Sequence, residues 1–265
     1  LPEGAEHLRH AAQHATTWRP DLQETVAWLT PILLDEAEPA AQRFQQTSGM
    51  VMAKGVEDTA FYRYSRLTSL NEVGGDPSVF AVSPSDLHAA LAERQRSWPH
   101  AMTTLSTHDT KRGEDVRARI TTIAEVPAEW DALLTRVLPL GPREEPAFTS
   151  LLLQAVVGAW PASAERLHAY AEKAARESDA QTHWTAPDEA YERALASFVD
   201  ACLEGEGRAA IEAFVASVDA GAAMPPVVGA PRGVYLDALH PGRAGQVIIA
   251  ETLTRVLTPP GPVLP

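Results

Sequence analysis

The prediction of the fold begins at positions 101–107, which contain Ala-Met-Thr-Thr-Leu-Ser-Thr and are followed by His-Asp-Thr-Lys-Arg at 108–112. The first part is β-prone, and it gives way abruptly to a polar cluster. This pattern predicts a strand that delivers polar side chains at its C-terminal end. In α/β barrels the catalytic groups lie at that end of the strands, because the loops there surround a shared pocket. The segment therefore makes His108 and Asp109 candidate site residues in an α/β fold.

The same cluster has a simpler explanation. His108 and Asp109 can form a helix cap and a loop, with 111–115 as the solvated first turn of a helix. The spacing alone favours this explanation.

A second segment interleaves aromatic rings with charges. Positions 49–64 contain Gly-Met-Val-Met-Ala-Lys-Gly-Val-Glu-Asp-Thr-Ala-Phe-Tyr-Arg-Tyr. Sugar-binding sites have this character, since rings stack on pyranose faces and charged groups bind hydroxyls. The alternative, which the pattern alone favours, is a helix that buries Phe61 and Tyr64 and exposes its carboxylates.

Most of the chain has helical periodicity. Apolar positions recur at helical spacing over 6–17 and 21–34, and a third helix is expected from Pro39 to about Thr47, where Ser-Gly follows. The apolar run 50–53 predicts a short buried strand. Pro and Gly signals delimit further helices, at about 114–123, 128–138, 146–159, 162–177, 187–203 and 208–218.

The composition limits the class of protein. The chain has 265 residues, 45% apolar content and a formal charge of −13. This charge repels phosphate backbones and anionic membrane surfaces, so we expect neither nucleic acid nor membrane as a partner. Cys202 is the only cysteine, which excludes an intrachain disulfide and a cysteine-rich metal site. With no signal peptide visible and no initiator Met, we expect a cytoplasmic protein of which this is a fragment.

A family resemblance covers much of the chain. Three segments carry it: the aromatic block (49–64), the loop block (69–77, Ser-Leu-Asn-Glu-Val-Gly-Gly-Asp-Pro) and the His-Asp block (106–115). Together they resemble the maltooligosyltrehalose synthase family of the α-amylase superfamily, clearly over 45–119 and more loosely over 19–215. The resemblance implies an α/β fold of predominantly helical character, the C-terminal part of a (β/α)8 catalytic barrel, as one domain over 1–220.

The resemblance also implies roles for particular residues. Asp109 would be the third catalytic carboxylate of the superfamily, orienting the sugar hydroxyls at the cleaved residue, and His108 would donate a hydrogen bond to the same sugar. Lys54 would hold the glucose at the reducing end. The resemblance places four further residues in the substrate site, namely Phe61, Tyr62, Lys111 and Arg112.

The family reaction is an intramolecular transglycosylation of maltooligosaccharides or related α-glucans. It converts the reducing-end α-1,4 linkage to an α,α-1,1 linkage, as in trehalose biosynthesis, with retention of the anomeric configuration. This chemistry requires no metal and no organic cofactor. A retaining enzyme needs a nucleophile and an acid/base, and in the superfamily both precede the first residue of this chain. The alternative is therefore a catalytically silent structural or glucan-binding fragment.

The last part of the chain departs from the family. A Pro/Gly-rich stretch predicts a boundary near 221, so that 221–265 forms a linker and a terminal helix. Asp237 and His240, in an Asp-x-x-His-Pro pattern, resemble the final block of SGNH-type esterases. A chimera with an esterase end is one interpretation; a structural role for Asp237 as a loop or cap residue is the other.

Overall fold

A computed structural model describes residues 2–223 except 103 and 105. All but the first three residues of the predicted terminal region 221–265, and with them Asp237 and His240, lie outside the described residues. The chain divides between Val56 and Glu57 into two compact units. The described residues form ten α-helices, namely α1 (Pro2–Trp18), α2 (Gln23–Leu34), α3 (Pro39–Glu57), α4 (Pro84–Ser97), α5 (Glu114–Thr122), α6 (Pro127–Val137), α7 (Pro146–Gly158), α8 (Ala164–Ser178), α9 (Glu189–Leu203) and α10 (Gly205–Ala223).

The first unit contains little buried surface. Helices α1 and α2 contact each other directly and are connected by the short 3₁₀ turn Pro20–Leu22. Ala41 of α3 is the only buried residue among those of this unit whose burial the structure describes. Trp18, Trp28 and Met50 are exposed. The unit is thus a set of helices without a core of its own.

The second unit has a continuous apolar core centred on α7. Every residue of α7 from 148 to 158 is buried, and the helix contacts α5, α8 and α9. A largely apolar helix that is buried on all sides is typical of an element enclosed by neighbours. Trp130 of α6 and Phe214 of α10 meet with ring centroids 5.5 Å apart, which extends the core to the last described helix.

The prediction of a mainly helical chain is confirmed, but two predicted strands are not found. The run 50–53 is helical and lies within α3, which continues through Gly49 to Glu57. Met and Ala are strong helix formers, and a Cβ at Gly49 would meet no atom within 4 Å, so nothing forces α3 to end there. No strand occurs in the described part of the segment 101–107.

Helix α4 was not predicted, whereas every other predicted helix within the described residues is present with shifts at its ends. The N-terminus of α4 has a regular cap. Ser83 accepts a hydrogen bond from the backbone N–H of Asp86, and Pro84 occupies the first helical position. None of the helices in the described ranges is both long and apolar enough to span a bilayer.

Candidate functional site

The His-Asp block forms a turn that holds its own shape. His108–Thr110 is a single 3₁₀ turn, with Thr107 at its N-terminus. The backbone N–H of Thr107 donates to Thr110 Oγ1 at 2.6 Å, and the N–H of Thr110 donates to Thr107 Oγ1 at 3.3 Å. This reciprocal pair satisfies two backbone donors locally. The turn needs no adjoining strand to present His108 and Asp109.

Lys111 follows the turn and connects it to the aromatic block. Its backbone has φ +62°, in the left-handed region. Its Nζ lies 2.8 Å from Asp58 Oδ1 and 3.5 Å from Asp109 Oδ1, while only 8% of its side chain is exposed. Burial lowers the pKa of Lys111, but the two carboxylates outweigh it and hold the pKa above its usual value. Lys111 therefore remains a cation between two carboxylates.

Asp109 remains accessible although it contacts Lys111. Its side chain is 46% exposed, and His108 is exposed as well. A carboxylate that is half open and lies beside a fixed ammonium can accept hydrogen bonds from a polyol. His108 and Asp109 thus form an accessible polar surface on the 3₁₀ turn.

Phe61 and Tyr62 lie in the interior. They are 5% and 2% exposed, so neither ring offers a face to a sugar in this arrangement. Burial, with the nearby Tyr170, raises the pKa of Tyr62 well above its usual range. The burial of Phe61 agrees with the simpler alternative for this block, in which the aromatic rings belong to the core.

The loop block attaches the aromatic block to the core. Asn71 is buried, and its Nδ2 donates to the carbonyl oxygens of Phe61 at 2.9 Å and Tyr64 at 3.2 Å. Glu72 forms an ion pair with Arg117 of α5, whose Nε donates to the carbonyl oxygen of Ser69 at 3.2 Å. The loop block thus contacts the aromatic block and α5, the helix that begins at the end of the His-Asp block.

Gln154 of α7 fixes the chain between these blocks. It is fully buried; its Oε1 accepts from the N–H of Thr68 at 2.8 Å, and its Nε2 donates to the carbonyl oxygen of Ser65 at 2.7 Å. The sequence analysis did not single out Gln154. The available signal was an amide in a largely apolar helix, because a buried amide needs partners in a neighbouring segment.

Lys54 lies in the last turn of α3 and is exposed. It belongs to the first unit, whereas Asp58, Asp109 and Lys111 belong to the second. The structure brings Asp109 and Lys111 together with Asp58, a residue that the sequence analysis did not assign to the site.

Arg112 points to a different environment from that of Asp109. The residue is 8% exposed, and its Nη2 lies 3.5 Å from the hydroxyl of Tyr170 on α8. Its Nε has no hydrogen-bond partner. Arg112 lines a cavity beside α8 together with Tyr170.

Comparisons with known proteins identify relatives of this chain. A scan against models of protein families finds no match. A maltooligosyl trehalose synthase of Mycobacterium tuberculosis is 42% identical over 216 residues, which are 79% of this chain and 28% of that protein. The solved maltooligosyltrehalose synthase of Arthrobacter ramosus is 51% identical, with a TM-score of 0.75 over 83% of this chain and 29% of that one. That of Sulfolobus tokodaii is 32% identical, with a TM-score of 0.62 over 68% of this chain and 26% of that one.

These relatives belong to one class of protein, the synthases that act in the metabolism of α-glucans. Within it, the chain is homologous to a part of the maltooligosyltrehalose synthases, the family that its three blocks resemble. The chain spans 28% of the length of the curated relative that it matches.

Proposed function

We propose that the chain supplies part of the active site of a (1→4)-α-D-glucan 1-α-D-glucosylmutase. The complete enzyme rearranges the reducing-end α-1,4 linkage of a maltooligosaccharide to α,α-1,1. The observation that carries this proposal is the bridge from Asp109 through Lys111 to Asp58, which joins two of the three family-like blocks. Homology to the synthases over most of the chain supports it.

In this proposal Asp109 binds the hydroxyls of the sugar at the cleaved bond. Its charge favours the oxocarbenium-like transition state, in which positive charge develops on the sugar. His108, on the same turn, donates a hydrogen bond to that sugar. Lys111 holds Asp109 in position, and Asp58 anchors Lys111 through their ion pair.

Lys54 acts on the other product of bond cleavage. An isomerase must hold the released glucose until its anomeric hydroxyl attacks the glycosyl intermediate, and it must exclude water meanwhile. An exposed ammonium in the last turn of α3 can bind the hydroxyls of that glucose. This role rests on the resemblance of the surrounding motif.

The chain would then be the C-terminal part of an α-amylase-type (β/α)8 barrel. The nucleophile and the acid/base would come from other parts of the complete enzyme, and 221–265 would form a separate region. We propose a cytoplasmic protein that binds neither nucleic acid nor membrane. The formal charge of −13 supports the exclusion of these two partners, since anionic polymers and surfaces would be repelled.

A complete synthase that carries this segment provides the test. Incubated with maltopentaose, it should yield mainly a non-reducing trehalosyl product. An α-amylase-type hydrolase would yield mainly glucose and shorter maltooligomers instead, and that product distribution would contradict the proposal.

A catalytically silent fragment is the second candidate for the 265 residues alone. The departure of the N-terminal region from the catalytic signatures of the superfamily favours it. The purified chain should form no trehalosyl product from maltooligosaccharide. Sustained product formation at enzymatic rates would contradict this second candidate.

A further inference from the structure

A cavity of about 110 Å³ lies in the second unit where three helices approach one another. Its walls come from the start of α5, the end of α7 and the start of α8. A cavity of this volume is large enough to hold a small ion together with water. The polar side chains of its lining are Lys111, Arg112, Arg166 and Tyr170.

Arg112 is the buried cation of this cavity. The residue is more than nine-tenths buried, its Nε has no hydrogen-bond partner, and its Nη2 makes one long contact with the Tyr170 hydroxyl. No carboxylate of the described residues forms an ion pair with it. Burial removes water from the Nε of this guanidinium, and an acceptor on its remaining N–H groups, preferably an anion, would offset that cost.

The other charges around the cavity reinforce this requirement. Lys111 is already neutralised by Asp58 and Asp109. Arg166, in the first turn of the 15-residue helix α8, has no ion pair with the described residues, and the lining includes no carboxylate.

We propose that this cavity is a binding site for a small oxyanion of the carboxylate or phosphate type. The guanidinium of Arg112 would donate through its terminal nitrogens, Tyr170 would donate its hydroxyl, and the exposed Arg166 would donate from the rim of the cavity. Arg112 then serves the anion and not the glucan. The proposal rests on the cavity and its charges and is independent of the proposed synthase function.

Inorganic phosphate is the probe for this site. Titrated into the 265-residue chain at constant ionic strength, phosphate should raise the unfolding temperature saturably and should give a binding isotherm by calorimetry. Chloride at the same ionic strength should not reproduce the effect. Glucose and maltose should not compete with phosphate.

Three variants locate the binding. Arg112→Gln should abolish it. Arg166→Gln should weaken it about tenfold, the effect of one charge-assisted hydrogen bond, and this exposed residue can be changed without disturbing the core. Arg143→Gln, an exposed arginine outside the cavity, is the matched control and should bind phosphate normally.

Three results would overturn the proposal. One is the absence of saturable binding by the parent chain. The second is unchanged affinity in Arg166→Gln, a result that is informative even if Arg112→Gln fails to fold. The third is displacement of phosphate by maltose, which would make the cavity part of a sugar site.

Discussion

Lys111 Nζ lies 2.8 Å from Asp58 Oδ1, so two segments that are distant in sequence share one partly buried ion pair. Asp58→Asn should therefore destabilise the second unit by roughly 1.5–3 kcal/mol near pH 8, as expected for a hydrogen bond between charged groups. Urea unfolding measures this. The adjacent Asp109 remains and limits the loss.

The pH dependence of that loss follows from the raised pKa of Lys111. A raised pKa contributes stability that is complete below the unfolded value, near 10.5, and is lost as the pH rises through the higher folded value. The difference between Asp58→Asn and the parent should thus shrink above about pH 10.5. The control is Asp58→Asn in a Lys111→Met background, where the difference should be small at every pH. A constant difference in the parent background would contradict the assignment.

Asp109 is expected to act on the reaction and not on folding. In a complete synthase, Asp109→Asn should lower kcat by several orders of magnitude, because the isosteric amide removes the charge that favours the transition state. The unfolding midpoint should change little. Asp115→Asn, in the exposed first turn of α5, is the control and should retain activity. If Asp109 were only a helix cap, Asn would replace it at little cost.

Lys54 is expected to control the fate of the released glucose. In a complete synthase, Lys54→Ala should leave bond cleavage intact while water intercepts the intermediate, so that the ratio of hydrolysis to isomerisation rises. Glucose release and trehalosyl formation are measured in the same reaction. A surface role for Lys54 predicts an unchanged ratio.

Glu192 on α9 should account for part of the acid sensitivity of the second unit. It accepts two hydrogen bonds from Arg176, each 2.8 Å, and one from Thr182 at 2.6 Å. The bonds from Arg176 outweigh the effect of burial and lower the pKa of Glu192 below its usual value. Its stabilisation is complete above the unfolded pKa, near 4.5, and is lost as the pH falls through the folded pKa.

Glu192→Gln should accordingly cost roughly 1.5–3 kcal/mol near neutral pH, and the gap to the parent should close in acid. Denaturant unfolding at several pH values measures this gap. Glu189→Gln is the matched control, because Glu189 lies on the same helix and is 80% exposed in its pair with Arg193. An exposed pair contributes little, so this variant should unfold like the parent.

Two helical glycines should respond in opposite directions to alanine. A Cβ at Gly158 would lie 2.8 Å from Cγ1 of Ile120 and 2.9 Å from Cγ1 of Val116, so Gly158→Ala should force α5 and α7 apart and destabilise the unit by roughly 1–3 kcal/mol. Gly49→Ala meets no neighbour and should strengthen α3 by about 0.5–1 kcal/mol. Circular dichroism during thermal unfolding tests both variants. Equal effects would show that the crossing of α5 and α7 is looser than described.

Local signals account for the parts of the fold that the sequence predicted. Pro127 and Pro146 each occupy the first turn of their helix, and the apolar periodicity of α6 to α9 was sufficient to place these elements. Helix α4 was missed because its interior buries no residue and so lacks an apolar stripe. Its Ser83-Pro84 start was nevertheless readable from the sequence.

Tertiary contacts account for the parts that the sequence did not predict. The block motifs identified Asp109 and Lys111, but neither spacing nor periodicity indicates that Asp58 reaches Lys111. Phe61 and Tyr62 were predicted to bind the substrate, but tertiary contacts that local patterns do not indicate bury both rings. An aromatic ring in a motif has the same local pattern whether it lies in the core or in a binding site.

The reciprocal hydrogen bonds between Thr107 and Thr110 have a consequence for sequence divergence. Both partners of each bond lie within one four-residue stretch, so the conformation of the turn is inherited with that stretch and not with the elements around it. The neighbouring helices can accept substitutions and insertions while His108 and Asp109 keep their relative orientation. The shape of the turn depends on its two threonine hydroxyls, whereas the proposed roles of His108 and Asp109 depend on their own side chains.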